Sequence, residues 1–179
     1  GIDLGGTRVK IGVVGNGKVI GRHTFPVDSS SGLKTNLPCI KAEIETLISK
    51  NNLEKKNLLG VGLAFAGLVN PVTKEIQATN AKHEGAPSLN LETWVAETWN
   101  VPFALENDAR MATVGEWQYG AGKDSDDLVM MTIGTGIGTS VIMEGKILRG
   151  KTKTLQNFLQ RAVLFTSFQY RKVMMLLRQ

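Results

Sequence analysis

Residues 131–150 read MTIGTGIGTSVIMEGKILRG, and residues 2–21 read IDLGGTRVKIGVVGNGKVIG. The order of features is shared. A short apolar stretch meets a glycine turn (Gly134 to Gly138; Gly5 and Gly6), an apolar run follows (to Met143; to Val14), and a second small turn leads to Gly-Lys and two aliphatics (Gly145 to Leu148; Gly17 to Ile20). β-Branched runs bounded by Gly and Asn at hairpin spacing predict strand, tight turn, strand, tight turn, strand in both places. The chain therefore reads as an internal duplication.

Working outward, helical and strand patterns alternate between the two copies. Leu37, Ile40, Ile44, Leu47 and Ile48 recur at helix spacing and predict a helix over 36–51, with Pro38 in its first turn. LLGVGLAF (58–65) has no polar alternation, as expected of a strand buried on both faces. Asn90 is placed to cap a helix carrying Leu91, Trp94, Val95 and Trp99, and VPFAL (101–105) predicts another buried strand. ENDARMATVGEWQYGAG (106–122) reads as a strand end passing into a helix that Asn107 caps and Gly120 and Gly122 stop. Strands followed by helices after a three-stranded start give an α/β fold.

Composition limits the function classes. The 179 residues are 42% hydrophobic and 21% charged, an ordinary globular balance with no apolar run long enough to cross a bilayer. The start shows no secretory pattern of basic, apolar and small residues. Cys39 is the single cysteine and His23 and His83 stand apart, so an internal disulfide is excluded and a Cys/His zinc site has no ligand set. A reducing cytoplasm fits. The net charge of +5 would suggest nucleic acid if it were evenly spread. However, all 16 Asp and Glu and all 20 Gly lie at or before Gly150, while Lys151, Lys153, Arg161, Arg171, Lys172 and Arg178 follow it. Excess basicity belongs to the tail alone, and neither nucleic acid nor membrane is expected as a partner of the rest.

GVVGNGKV (12–19) has P-loop spacing through Lys18, but Val19 stands where Ser or Thr is required and a strand follows, so it reads as a hairpin. GTGIG (134–138) has neither the dinucleotide spacing nor a following helix. Two equivalent glycine turns, one preceded by Asp3 at a strand end, suggest phosphate instead, because backbone N–H groups without Cβ obstruction can approach oxygens closely. Thr7 and Thr135 add hydroxyl donors beside them. Asp108 falls in the first turn of a helix, where the dipole favours a carboxylate, and is a candidate base as well as a helix stabiliser.

GIDLGGTRVKIGVV (1–14), GVGLAFAGLVNP (60–71), TNAK (79–82), ENDARMATVGE (106–116) and TIGTGIGTSVIMEGKILRG (132–150) resemble, in order and spacing, the motifs of the ROK family of repressors, open reading frames and kinases. The resemblance covers residues 1 to about 150. It implies an actin-like, ribonuclease H-like ATPase fold: a first α/β lobe over 1–107, the start of a second over 108–150, and an atypical basic tail over 151–179. It also implies ATP-dependent phosphorylation of a hexose or N-acetylhexosamine. By position, Gly5, Gly6 and Thr7 match the first phosphate motif, with Asp3 expected near Mg²⁺, and Gly134, Thr135 and Gly136 match the second. Gly67, Asn80 and Asn107 match sugar-contacting positions, the Asn80 match being looser because TNAKHEGAPSLNLETW (79–94) departs from the usual Asn-Leu-x-x-Trp spacing. Asp108 matches the catalytic base, which takes the proton of a sugar hydroxyl.

The resemblance stops after ILRG. The Gly-x-x-Gly-Glu-x-Gly-His segment and the Cys-x-Cys-Gly zinc cluster expected next are replaced by KTKTLQNFLQRAVLFTSFQYRKVMMLLRQ (151–179). Leu155, Phe158, Leu159, Ala162 and Val163 recur there at helix spacing. A basic amphipathic helix for a membrane or partner is one reading. A frame shift or truncated gene model is the reading that better explains the sudden loss of glycine and acid. On that reading the parent is a homodimeric sugar kinase, this chain is a partial and inactive form, and the VMMTIG (129–134) sheet is left with unpaired edges. The rival function is a sugar-binding ROK regulator whose DNA-binding domain would precede residue 1.

Overall fold

The computed structural model describes residues 1–79, 81–133, 137–149 and 173–177. It divides into two compact units, Gly1–Asp108 and Ala109–Gln179.

In the first unit, β1 (Ile2–Leu4), β2 (Arg8–Gly15) and β3 (Lys18–Pro26) form an antiparallel meander. Asn16 and Gly17 make the β2–β3 reversal with φ of 50° and 72°. Two successive left-handed residues match the right-handed twist of the flanking strands, which is why Asn-Gly is favoured there. The hairpin reading of 12–19 is thus the observed one. α1 (Leu33–Lys50) follows, then β4 (Val61–Phe65), the ribbon of β5 (Gly67–Asn70) and β6 (Glu75–Thr79), α2 (Leu91–Trp99) and β7 (Phe103–Asn107). The main sheet has the order β3-β2-β1-β4-β7, with β1, β4 and β7 parallel. α1 and α2 bury their apolar faces in one core with it, through residues such as Leu33, Ile40, Leu91 and Val95.

Three boundaries differ from the sequence reading. α1 starts at Leu33, because Gly32 (φ 81°) ends the preceding Ser29–Ser31 turn and the Asn36 amide donates to Gly32 O (2.9 Å) and Asp28 O (2.7 Å). Pro38 therefore lies inside the helix, not in its first turn. β4 begins only at Val61: Leu58 closes the Lys55–Asn57 turn, and Leu59 is 91% exposed. Nor is β4 buried on both faces, since Gly62 is exposed and Ala64 half-buried. β7 begins at Phe103, since Pro102 has no N–H for a ladder and its carbonyl instead accepts from Val61 N at 2.9 Å. Asn90 caps α2 as expected, its Oδ1 accepting from Thr93 N at 2.9 Å.

In the second unit, α3 (Asp108–Tyr119) leads to β8 (Leu128–Ile133), β9 (Ile137–Met143), β10 (Lys146–Ile147) and β11 (Val173–Leu177), in the order β10-β9-β8-β11. Glu144 and Gly145 (φ 49° and 67°) turn the chain between β9 and β10 as Asn16 and Gly17 do between β2 and β3. β8 pairs antiparallel with β9 and parallel with β11, the pattern that β1 keeps with β2 and β4. The duplication read in the sequence is thus a duplication of topology. It extends into the tail: β11 takes the position of β4, so the β8 edge expected to be bare is paired. The helix expected around 155–163 lies outside the described residues. No helix among the described residues is long and apolar enough to cross a membrane.

Candidate functional site

The parallel strands β1, β4 and β7 end in register, with Leu4 beside Phe65 and Phe65 beside Asn107. Directly beyond these carboxyl ends come Gly5–Thr7, Ala66–Gly67 and Asp108. Ligands of open α/β sheets bind beyond the carboxyl ends of parallel strands, because loops diverge there and leave a crevice. The first unit thus brings Gly5–Thr7, Gly67, Asn107 and Asp108, of its expected phosphate and sugar positions, to one edge.

Gly5 shapes the turn. Its N–H donates to Arg8 O at 3.1 Å, and a Cβ there would stand 2.7 Å from that same oxygen. The Gly6 and Thr7 N–H groups have no hydrogen-bond partner among the described residues, while Thr7 O accepts from Val27 N at 3.0 Å and anchors the turn to the end of β3. Asp3 is half-buried on β1, and Lys10, opposite it on β2, places Nζ 3.3 Å from Asp3 Oδ2. Among the described residues no three His, Cys, Asp or Glu side chains cluster as metal ligands. A single accessible carboxylate beside a glycine turn suited to phosphate nevertheless fits Mg²⁺, which is commonly held by one or two carboxylates together with phosphate oxygens and water.

Asn107 joins the remaining positions. It is buried at the end of β7, and its Nδ2 donates to Gly67 O at 3.0 Å and to Asp108 Oδ1 at 3.1 Å. The amide therefore ties the start of β5 to the carboxylate at the head of α3. Gly67 leaves no room for a side chain: a Cβ would meet Ala78 O and the Phe65 ring, each at 2.6 Å. Asp108 is half-buried in the first turn of α3, at the end of the helix where the macrodipole is positive. Asn80, Gly134, Thr135 and Gly136 lie outside the described residues; the last three connect β8 to β9, as Gly5–Thr7 lie between β1 and β2.

Three residues were not singled out from the sequence. Glu106, buried behind Asn107, accepts the Asn107 N–H through Oε1 at 2.8 Å. His83, also buried, places Nε2 3.0 Å from Gly5 O. A carbonyl can only accept, so Nε2 carries the proton, and Nδ1 is left buried with no partner among the described residues. Burial above all holds the His83 pKa below its ordinary 6.5; the Lys82 charge pushes the same way and the Gly5 hydrogen bond opposes both. Lys82 crosses Gly6, where a built Cβ would overlap Lys82 Cδ and lie 2.7 Å from Nζ. The signal for both was the departure from family spacing in TNAKHEG.

A family model described as the ROK family matches residues 1–154. The chain belongs to the ROK family. The beta-glucoside kinase of Listeria monocytogenes is 34% identical to this ROK chain over 149 residues, covering 83% of the chain and 47% of the kinase. A crystal structure of a ROK family glucokinase from Streptomyces griseus in complex with glucose and AMPPNP superposes with a TM-score of 0.68 at 28% identity, over 84% of this chain and 46% of the glucokinase. The xylose repressor of Bacillus subtilis is 29% identical over 132 residues, 71% of this chain and 34% of the repressor. The fold is that of the actin-like ATPases, shared with ROK sugar kinases. The ROK chain spans about half the length of the curated kinases it matches.

Proposed function

We propose that the residues of this chain serve ATP-dependent phosphorylation of a hexose or N-acetylhexosamine hydroxyl. The observation that carries the reading is the Asn107 amide, which fixes Asp108 Oδ1 to the Gly67 carbonyl beside a phosphate-suited glycine turn. Kinases among the similar proteins support it. Asp108 accepts the proton of the attacking hydroxyl, the sugar oxygen forms the new bond to the γ-phosphorus, and the bond to the β–γ bridging oxygen breaks to release ADP. The protein's share of such a transfer is mainly positioning and charge stabilisation, so a base held in place by a neighbouring amide and a turn with free N–H groups is an apt division of labour. Asp3 would hold Mg²⁺ with the phosphate oxygens, and the ion, when bound, neutralises charge on the phosphates. Gly134, Thr135 and Gly136 complete the phosphate contacts in this reading, and Asn80 those to sugar.

In this reading turnover belongs to a cytoplasmic, homodimeric parent with a complete second lobe, and the 179 residues alone are expected to give little; the span of about half the kinases' length supports it. The test is a coupled assay of the chain completed by such a lobe, with ATP and glucose, fructose, allose, N-acetylglucosamine and N-acetylmannosamine in turn. One sugar should be turned over, and Asp108→Asn should lower kcat by about 10² to 10⁴-fold. An Asp108→Asn variant within threefold of the parent would remove Asp108 from the role of base. The match to the xylose repressor favours a second reading, a sugar-responsive regulator. Sugar binding without phosphorylation, in a protein carrying a DNA-binding domain ahead of residue 1, would support it.

A further inference from the structure

The segment Ala81–Gly85 crosses the first glycine turn in an unusual backbone conformation. Ala81, His83 and Gly85 all have positive φ, at 56°, 57° and 75°. Left-handed backbone is uncommon for alanine and histidine and persists where surrounding contacts hold it. Those contacts are present. His83 N donates to Ser29 O at 3.0 Å, Leu33 N donates to Glu84 O at 3.3 Å, and the His83 ring packs tilted against Phe65 with centroids 6.0 Å apart. The imidazole then reaches 78 residues back to the Gly5 carbonyl. One consequence is local: the residue before His83 is laid across Gly6, with Nζ beside the position a Cβ would fill. Lys82 is half-buried and forms no ion pair among the described residues. An ammonium with no carboxylate partner among the described residues therefore stands over Gly6, in the turn whose Gly6 and Thr7 N–H groups have no acceptor among them.

We propose that Lys82 is a phosphate-binding cation of the first glycine turn, held over Gly6 by His83, and that its ligand is the terminal phosphate of a polyphosphate chain. Backbone N–H groups give a phosphate direction but little net charge, and a lysine supplies that charge as a point donor. Glycine at position 6 serves both partners, since a side chain there would displace the lysine. His83 acts through the turn: by holding the Gly5 carbonyl it fixes the plane of the next peptide and so the direction of the Gly6 N–H. The inference rests on the kinase reading for its biological ligand, but it is tested with inorganic tripolyphosphate and no sugar.

The experiment titrates tripolyphosphate into the 179-residue chain and its variants, following the amide resonances of Gly5, Gly6 and Thr7. The parent should bind saturably at those amides. Lys82→Met should raise Kd by about tenfold or more while Lys82→Arg stays within about threefold, since arginine keeps the charge-assisted contact. His83→Leu should shift the three amides in the free protein and weaken binding, and His83→Gln, which can still donate to Gly5 O, should restore both. A Lys82→Met chain that binds within twofold of the parent overturns the proposal, as does a parent that shows no saturable binding at the turn. The kinase reading fails separately: tripolyphosphate binding that depends on Lys82, in a protein that phosphorylates no sugar once completed, leaves this site standing. Sugar phosphorylation indifferent to Lys82→Met removes the site and leaves the kinase.

Discussion

His83 ties stability to pH through a single ring. Unfolded, it takes up a proton near 6.5; folded, burial above all and the neighbouring Lys82 charge hold it neutral to lower pH. As pH falls below 6.5 the unfolded state therefore binds more protons than the folded one, so stability present above that value is lost progressively on acidification. The urea midpoint read from Trp94 and Trp99 should be flat above neutrality and decline on the acid side before the carboxylates titrate, and His83→Gln should flatten the first part of the decline. An unchanged acid limb in that variant would assign the loss elsewhere. The first glycine turn and the helix start at Asn107 and Asp108 were legible in the sequence because each answers a local backbone demand, whereas Gly67 and a sugar-facing role for Asn107 came only from the family resemblance. Lys82 and His83 were not legible, since their partners are Gly5 and Gly6, far away along the chain, and a side chain bonded to a distant carbonyl leaves no periodicity.

Among the elements, the hairpins carry the strongest sequence signal, and their tips invite a paired test. Gly17 and Gly145 both occupy left-handed φ at the second central position of their turns. A Cβ in that conformation costs roughly 1–2 kcal/mol. Gly17→Ala and Gly145→Ala should each lower stability by about that amount in thermal or urea unfolding, the first in unit Gly1–Asp108 and the second in unit Ala109–Gln179. A neutral effect at both would show that the turns relax without cost. Element type was readable for β1 to β4, α1, α2 and β7 of the first unit but the β5–β6 ribbon was not, and boundaries moved for identifiable reasons. Asn36 and Gly32 let α1 begin a turn early, Pro102 delayed β7, and the glycine and alanine of β4 imitated a doubly buried strand while being merely small.

For the molecule as a whole, the described residues furnish the two units unequally. Among the described residues, the first has a continuous core drawn from the five strands of the main sheet, the β5–β6 ribbon and two helices, whereas a core cluster of the second consists of Val129, Met131 and Val141 with Ile133 and Leu148 against it. Trp94 and Trp99 pack edge-on in the first, with centroids 5.2 Å apart, and Trp117 donates to Ser125 O at 2.7 Å in the second. Denaturant unfolding should therefore show two transitions, with the Trp117 signal, isolated by replacing Trp94 and Trp99 with Phe, changing at lower denaturant. Coincident transitions from all three tryptophans would mean one cooperative unit. The sequence foresaw the repeated meander but not its continuation through β11, because Val173–Leu177 belongs to a tail whose composition departs from everything before it.

The crossing of Lys82 over Gly6 also bears on how this chain can evolve. One small volume is shared by two positions, so the choices at them are coupled and not free. A lineage that keeps the lysine over the turn favours glycine at position 6, since a side chain there pushes the flexible end of Lys82 aside. A lineage that trades the lysine for something short regains the option of a side chain in the turn. Sterics thus favour change at position 82 ahead of change at position 6, and a survey of natural variants should find the two varying together.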